Sequence, residues 1–223
     1  MGASCKIVFY DWPYSPFCMK VRAILDYKQL TYESVNPLRA RGTLRRRGTG
    51  KVPAVEIDGI FITDSTDIAL ALDQRFPEPP LLPTDSRERG LVHAIEEWAD
   101  ESLYFIGLYY RWFEAEGRKP IAGVFGNTFK GKVAYRFYLR RILNQLRSQG
   151  TSRKSPAHVQ RDLERNLEAM ERLLAPGPYV LGDKPYLCDF ALWGQLNYLN
   201  RTPAGRAAIA RRDAIRDYVQ RLA

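Results

Sequence analysis

Five consecutive residues, Tyr14-Ser15-Pro16-Phe17-Cys18, place a hydroxyl, a helix-starting proline and a thiol within one turn of chain. Serine is a favoured helix cap and proline a favoured first helical residue, so the segment reads as the start of a helix. The unpaired amides at such a start carry partial positive charge, which stabilises an anion and shifts a nearby thiol toward thiolate. The chemistry on offer is the handling of a sulfur anion. Ser15 can donate a hydrogen bond to that anion, or Cys18 can supply it. A capped helix with a buried cysteine accounts for the same residues without any chemistry.

The elements around this corner are strongly patterned. Cys5 to Tyr10 is an apolar run that predicts a strand, and Phe17, Val21, Ile24 and Leu25 recur at helical spacing behind it. Thr31 to Val35 alternates as a second strand, and Pro37 permits a helix through the Arg-rich stretch. Val55 to Ile57 and Ile60 to Thr63 are β-rich runs split by Asp58-Gly59, a hairpin signal. Asp64 or Ser65 then caps a helix whose apolar face carries Ile68, Leu72 and Phe76. The order is βαβαββα over residues 1–76. Four prolines between Pro77 and Pro83 make a stiff connector, placed at residues 77–85. Beyond it the three-four spacing of Leu91, Ile95, Trp98, Ser102, Phe105, Tyr109 and Phe113 predicts one long helix. Further helices are expected over Val133 to Leu146, Val159 to Leu174, Phe190 to Leu199 and Ile209 to Leu222. Residues 86–223 therefore read as an all-helical domain.

The Ser-Pro-Phe-Cys corner resembles the Cys-Pro-Tyr-Cys corner of glutaredoxins with the attacking first cysteine replaced by Ser15. It is also similar to the catalytic corner of serine-type glutathione transferases, the tau class especially. Three further motifs carry that second resemblance: Lys51-Val52-Pro53-Ala54 entering a strand, Asp64-Ser65 at a helix start, and Gly182 to Ala191 at the start of a helix in the second domain. The resemblance implies a thioredoxin-like α/β N-terminal domain that binds glutathione and an all-α C-terminal domain that binds an electrophile. It implies Ser15 as the catalytic hydroxyl and glutathione as the co-substrate. Glutathione would be held by Ser15, Phe17, Lys51, Val52, Pro53, Asp64 and Ser65, by Arg39 and Arg41 at its glycyl carboxylate, and by Asp100 near the amine of the glutathione on a partner subunit. In the family this proline is cis, and the backbone of the residue before it pairs with the cysteinyl group of glutathione. The electrophile pocket would be lined by Trp12, Tyr14, Tyr104, Leu108, Tyr109 and Trp112, an aromatic density that suits flat, apolar electrophiles. Asp64 is one methylene shorter than the family's usual acid, and Tyr186 stands where relatives have a capping Ser or Thr ahead of Asp189.

Composition bounds the remaining possibilities. At 223 residues and 45% apolar content the chain can bury a core without covalent staples. Cys5, Cys18 and Cys188 are too few and too scattered for a disulfide framework. His93 and His158 show no metal-ligand spacing, and no metal is expected. No apolar run approaches the roughly 18 residues of a membrane span, no signal pattern opens the chain, and Lys6 stands where a myristoylation signal after Met1-Gly2 needs Ser or Thr. The expectation is a cytoplasmic homodimer active in detoxification. The net charge of +9 permits non-specific attraction to nucleic acid, with no preferred sequence. Arg161, Arg165 and Arg172 alternate with Glu164, Glu168 and Glu171 as on a solvated helix face, leaving Arg39, Arg41, Arg45, Arg46 and Arg47 as the candidate anion cluster. Two other functions fit the same residues: a thiol transferase or reductase working through Cys18, and a non-catalytic assembly module built on the same fold.

Overall fold

A computed structural model describes residues 5–222; the Met1-Gly2 opening lies outside them. Strands β1 (Ile7–Tyr10), β2 (Glu33–Val35), β3 (Ala54–Ile57) and β4 (Ile60–Thr63) form one sheet in the order β2-β1-β3-β4. The β1–β2 pair is parallel and is joined through helix α1 (Pro16–Tyr27); the other two pairs are antiparallel. Asp58 and Gly59 turn the β3–β4 hairpin with φ of 47° and 88°, the left-handed pair a tight two-residue turn requires.

Alternation along β1 divides the sheet into two faces. Ile7 and Phe9 join Val55 and Ile57 in the main core beneath α1 and α3 (Ser65–Arg75). Tyr10 and Ala54 instead enclose Leu44 of the short α2 (Arg41–Arg47) on the opposite face.

After α3 the chain crosses to α4 (Ser86–Glu97), which runs through a π-helical turn at Trp98–Leu103 into α5 (Tyr104–Phe113). Then follow α6 (Ala115–Val124), α7 (Phe129–Gln149), α8 (Pro156–Leu173), α9 (Leu187–Asn200), α10 (Pro203–Ala210) and α11 (Asp213–Arg221). Two features depart from expectation. The α6 helix lies where none was expected, and the helix expected over Ile209 to Leu222 is two helices, broken at Arg211 and Arg212. Arg212 also reaches across to α8, binding Glu164 at 2.6 Å and Glu171 at 3.1 Å, so the acids of that charged face serve partly to fasten its neighbour.

Helix α9 is the axle of the molecule, with its side chains almost all buried. It packs along α1, and Gly194 makes that contact possible. A Cβ at position 194 would lie 2.6 Å from the Pro16 carbonyl oxygen, so only glycine allows the two backbones this close. Asp189 secures the start of α9: its carboxylate accepts from the backbone amides of Tyr186 at 2.9 Å and Val180 at 3.0 Å and from the Tyr218 hydroxyl at 3.0 Å. The linker is anchored by Lys28, buried, whose ammonium donates to Asp73 at 2.8 Å and to the carbonyls of Phe76 and Pro79 at 2.7 Å each.

Candidate functional site

The corner residue Ser15 caps α1 in extended backbone, with φ of −94°. Its Oγ accepts from the Cys18 amide at 3.3 Å. A hydroxyl that accepts in this way still has its hydrogen to donate, and Ser15 is half-exposed at the helix start. The thiol three residues on behaves differently. Cys18 is fully buried, its sulfur accepts from the Trp12 amide at 3.4 Å, and burial pushes its pKa up to about 12 against the smaller lowering effects of the Trp12 and Ser15 hydrogen bonds. The alternative of a reactive thiolate at Cys18 is therefore disfavoured. Desolvation outweighs the helix start, and the thiol is a core group.

Val52-Pro53 is a cis peptide, with Val52 half-buried and Pro53 buried where the chain enters β3. Lys51, Arg39 and Arg41 are exposed. Of the basic cluster, Arg47 is held against the sheet instead, pairing with Glu56, donating to the Gly59 carbonyl at 2.9 Å and lying 4.7 Å over the Phe61 ring.

At the third wall Asp64, not Ser65, caps α3, accepting from the Thr66 amide at 2.9 Å. Asp64 holds φ 77° and ψ 134°, a region that side chains resist and that costs on the order of 1–3 kcal/mol. Strain of this kind persists where surrounding structure over-determines it. A buried polar cluster lies directly beneath the following residues Ser65 and Thr66. Lys20 of α1, 1% exposed, pairs with Glu96 and, at 2.8 Å, with Asp100; it also donates to Thr66 Oγ1 at 3.2 Å and lies 3.4 Å from Ser65 Oγ. Thr66 donates to Glu96, and Gln195 of α9 donates to Asp100 at 3.0 Å. Burial raises the Glu96 carboxyl, but the Lys20 charge and its hydrogen bonds outweigh that and hold it below the ordinary carboxylate range. Burial prevails at Asp100, which is held above it.

Asp100, expected near the amine of a partner subunit's glutathione, is here mostly buried beneath the α3 start, paired with Lys20 and accepting from Gln195. Lys20, Thr66, Glu96 and Gln195 were not foreseen as site residues.

The expected electrophile pocket is only partly assembled. Trp12 and Tyr14 stand together with ring centroids 5.5 Å apart, and Phe17 meets Tyr104 across the domains at 4.8 Å. Leu108, Tyr109 and Trp112 are buried in the helical core, Tyr109 stacked on Phe113 at 4.7 Å and Trp112 edge-on to Tyr138 at 5.4 Å. Burial also raises the Tyr104 phenol well above its ordinary range, so it is a neutral hydroxyl here.

A serine-capped corner, a cis-proline turn and a strained helix start thus converge at one end of a four-stranded α/β sheet, where Tyr10, Ala54 and Thr63 lie side by side, backed by an all-helical domain. The family model for the glutathione S-transferase N-terminal domain matches residues 9–80, and that for the C-terminal domain matches residues 138–221. The chain belongs to the glutathione S-transferase family. Among curated relatives it is 26% identical over 220 residues to the isoprene-epoxide glutathione S-transferase of Rhodococcus sp. strain AD45, covering 93% of this chain and 91% of that protein. It is 25% identical over 200 residues to glutathione S-transferase Z2 of Arabidopsis thaliana, covering 86% and 76%. Among solved structures, glutathione transferase F7 from Populus trichocarpa superposes with a TM-score of 0.66 at 20% identity, covering 97% of this chain and 92% of that one. That superposition supports the fold. No helix among the described residues is long and apolar enough to cross a membrane.

Proposed function

We propose that this glutathione transferase binds glutathione along the edge formed by Ser15, the Val52 backbone and the Asp64-Ser65-Thr66 helix start, and that Ser15 is the hydroxyl that stabilises its thiolate. The Ser15 hydrogen bond carries the reading: its oxygen is engaged by the Cys18 amide, which leaves the hydroxyl hydrogen for a sulfur placed outside the helix. A free thiol with a pKa near 8.5 is only a few per cent ionised at neutral pH, so a donor at the sulfur and the positive end of α1 both enlarge the reactive fraction. In the step itself the sulfur lone pair forms the bond to the electrophilic carbon. In substitution the electron pair of the breaking bond leaves with the displaced group and the thiol proton passes to solvent; in addition across an activated double bond the π electron pair takes up a proton, so the adduct carries both the sulfur and one hydrogen. The acidic side chain of Asp64 and the positive end of α3 suit an amine and a carboxylate on one ligand.

The alternative through Cys18 is disfavoured by its burial, and a homodimer in a cytoplasmic compartment remains part of the proposal. The discriminating experiment compares Ser15→Ala with Cys18→Ala in turnover of a model aryl halide. Loss of a hydrogen bond to a charged sulfur costs about 1.5–3 kcal/mol, so Ser15→Ala should lower kcat roughly ten- to hundredfold while Cys18→Ala stays within a few-fold of the wild type. The opposite ranking would hand the chemistry to the thiol. Calorimetry showing no glutathione binding by the wild type would instead favour the assembly module.

A further inference from the structure

A cleft of about 450 Å³ opens beside the corner, lined by Pro13, Tyr14, Arg111, Pro120, Arg201 and Arg206. Three of its six walls are guanidinium groups, and none of them enters an ion pair among the described residues. Arg111 is the decisive one. It is 1% exposed; Nη1 donates to the Arg201 carbonyl at 3.3 Å, while Nε and Nη2 are buried without any partner. Its remaining support is the Tyr198 ring, 5.8 Å from the guanidinium carbon.

The contrast with the other buried cations is sharp. Lys20 and Lys28 are each surrounded by carboxylates, hydroxyls or carbonyls, so every direction of their ammonium groups is answered. A buried charge left unanswered is strongly unfavourable, and a guanidinium presents its donors in a rigid fork matched to a carboxylate. Nor does the surrounding structure supply a hidden counter-charge: Arg201 sits on the rim, donating to the Pro13 carbonyl at 2.7 Å and lying 5.9 Å over Tyr14, and Arg206 reaches only the Asn200 carbonyl. Burial lowers the pKa of both Arg111 and Arg201, and the proximity of Arg111 lowers that of Arg201 further, as expected of like charges awaiting an anion.

We propose that this cleft takes the carboxylate of an acidic electrophile, with Arg111 as its floor and Arg201 and Arg206 at its mouth. The inference rests on the glutathione transferase reading for its chemistry and narrows the substrate class from apolar to carboxylate-bearing. Pro13 and Tyr14 immediately precede Ser15, so an acid anchored there lies next to the proposed sulfur site. The volume is that of a small organic molecule.

The test uses a matched pair of electrophiles, para-chloro-meta-nitrobenzoate and its methyl ester. With either one, the glutathione sulfur bonds to the ring carbon bearing chlorine, chloride departs with the electrons of the carbon–chlorine bond, and the thiol proton goes to buffer. After division by the uncatalysed rate of each, wild-type kcat/KM should favour the acid by about ten- to hundredfold, the range of a charge-assisted two-point contact. The preference should collapse in Arg111→Met and diminish in Arg206→Met, an exposed position that guards against a folding failure of the first variant. Calorimetric titration with the benzoate in the absence of glutathione gives an independent reading, with binding weakened in both variants. Equal handling of acid and ester by the wild type, or no heat of benzoate binding, overturns the proposal; so does inorganic phosphate binding as tightly as the benzoate. Benzoate binding without conjugation of either electrophile supports the cleft assignment while refuting the transferase reading.

Discussion

Lys20→Met removes the one cation that faces Glu96 and Asp100 at the junction of α1, α3, α4 and α9, and its consequences can be worked through. Lys20 and Glu96 are each 1% exposed, and the side chain of Asp100 is 12% exposed, so neither carboxylate can recover solvation when the ammonium is lost. Breaking a buried pair by removing one partner costs about 3–5 kcal/mol, a large part of the roughly 5–15 kcal/mol that holds a typical domain together. In the wild type the Glu96 carboxyl lies below its ordinary value, so it contributes stability that is present above that value and lost as pH falls through its folded pKa. Without Lys20 the balance reverses. Burial then raises both carboxyls, the folded variant holds protons that the unfolded chain has shed, and stability falls as pH rises, by about 1.4 kcal/mol per pH unit for each such proton. Urea denaturation of Lys20→Met between pH 5 and 8 should therefore show a deficit that is smallest at pH 5 and grows toward pH 8. The double variant Lys20→Met with Glu96→Leu should regain much of the loss, since an apolar replacement removes one stranded charge. Because Lys20 also donates to Thr66 and neighbours Ser65 at the α3 start, KM for glutathione should rise in the single variant even where it is folded. A single variant within 1 kcal/mol of the wild type, with the same pH profile, would refute the claim that this cluster supports the site.

Two further outcomes follow from packing and burial. A thiol reagent should modify only Cys5 in the native state and all three cysteines in denaturant, because Cys18 and Cys188 are buried; the Cys5 reaction should quicken with pH, its thiol being raised by burial and by Asp58. Rapid native labelling of two or more thiols would contradict the structure. Gly194→Ala would drive a methyl group to within 2.6 Å of the Pro16 carbonyl and 3.3 Å of the Lys20 amide, so the backbone must shift. Overpacking of this kind costs about 1–3 kcal/mol, and movement of Pro16 displaces Ser15, so both the urea midpoint and glutathione turnover should fall, while an unchanged turnover would mean that the α1–α9 contact does not position the corner.

The α/β half of the molecule was legible because each of its elements is announced by a local signal. Pro16 and Ser15 mark the start of α1, Asp58-Gly59 marks the hairpin, and the spacing of Ile68 and Leu72 marks the inward face of α3. The errors in the helical half have equally local causes. Helix α6 contains Gly117, Pro120 and Gly123 within ten residues, so its propensity speaks against it and only packing makes it helical. The break between α10 and α11 falls at Arg211 and Arg212 with no proline or glycine to mark it, and no side chain caps α11 to announce its start.

The site was legible where it touches backbone and obscure where it relies on buried charge. Ser15, Val52-Pro53 and Asp64-Ser65 are positions at which a turn or a helix start restricts the residue type, and such positions stand out in a single sequence. Lys20, Glu96 and Arg111 lie inside helices, where a charged residue ordinarily means a solvated face. A signal was nevertheless present for the first two. Lys20 falls three residues after Phe17 and four before Ile24, on the inward stripe of α1, and Glu96 falls four after the buried Val92 on α4, so opposite charges occupy the apolar faces of two helices that must meet. Such a pair is costly to bury unless the two charges find each other, and that requirement makes the pairing inferable from sequence. Arg111 offers no equivalent clue. It sits in Leu108-Tyr109-Tyr110-Arg111-Trp112, where every side chain is buried whether or not it falls on the stripe of Phe105, Tyr109 and Phe113, and no acidic residue on a neighbouring helix pairs with it. A paired buried charge writes its partner into the sequence, whereas a buried charge kept for a ligand leaves half of the pair outside the chain.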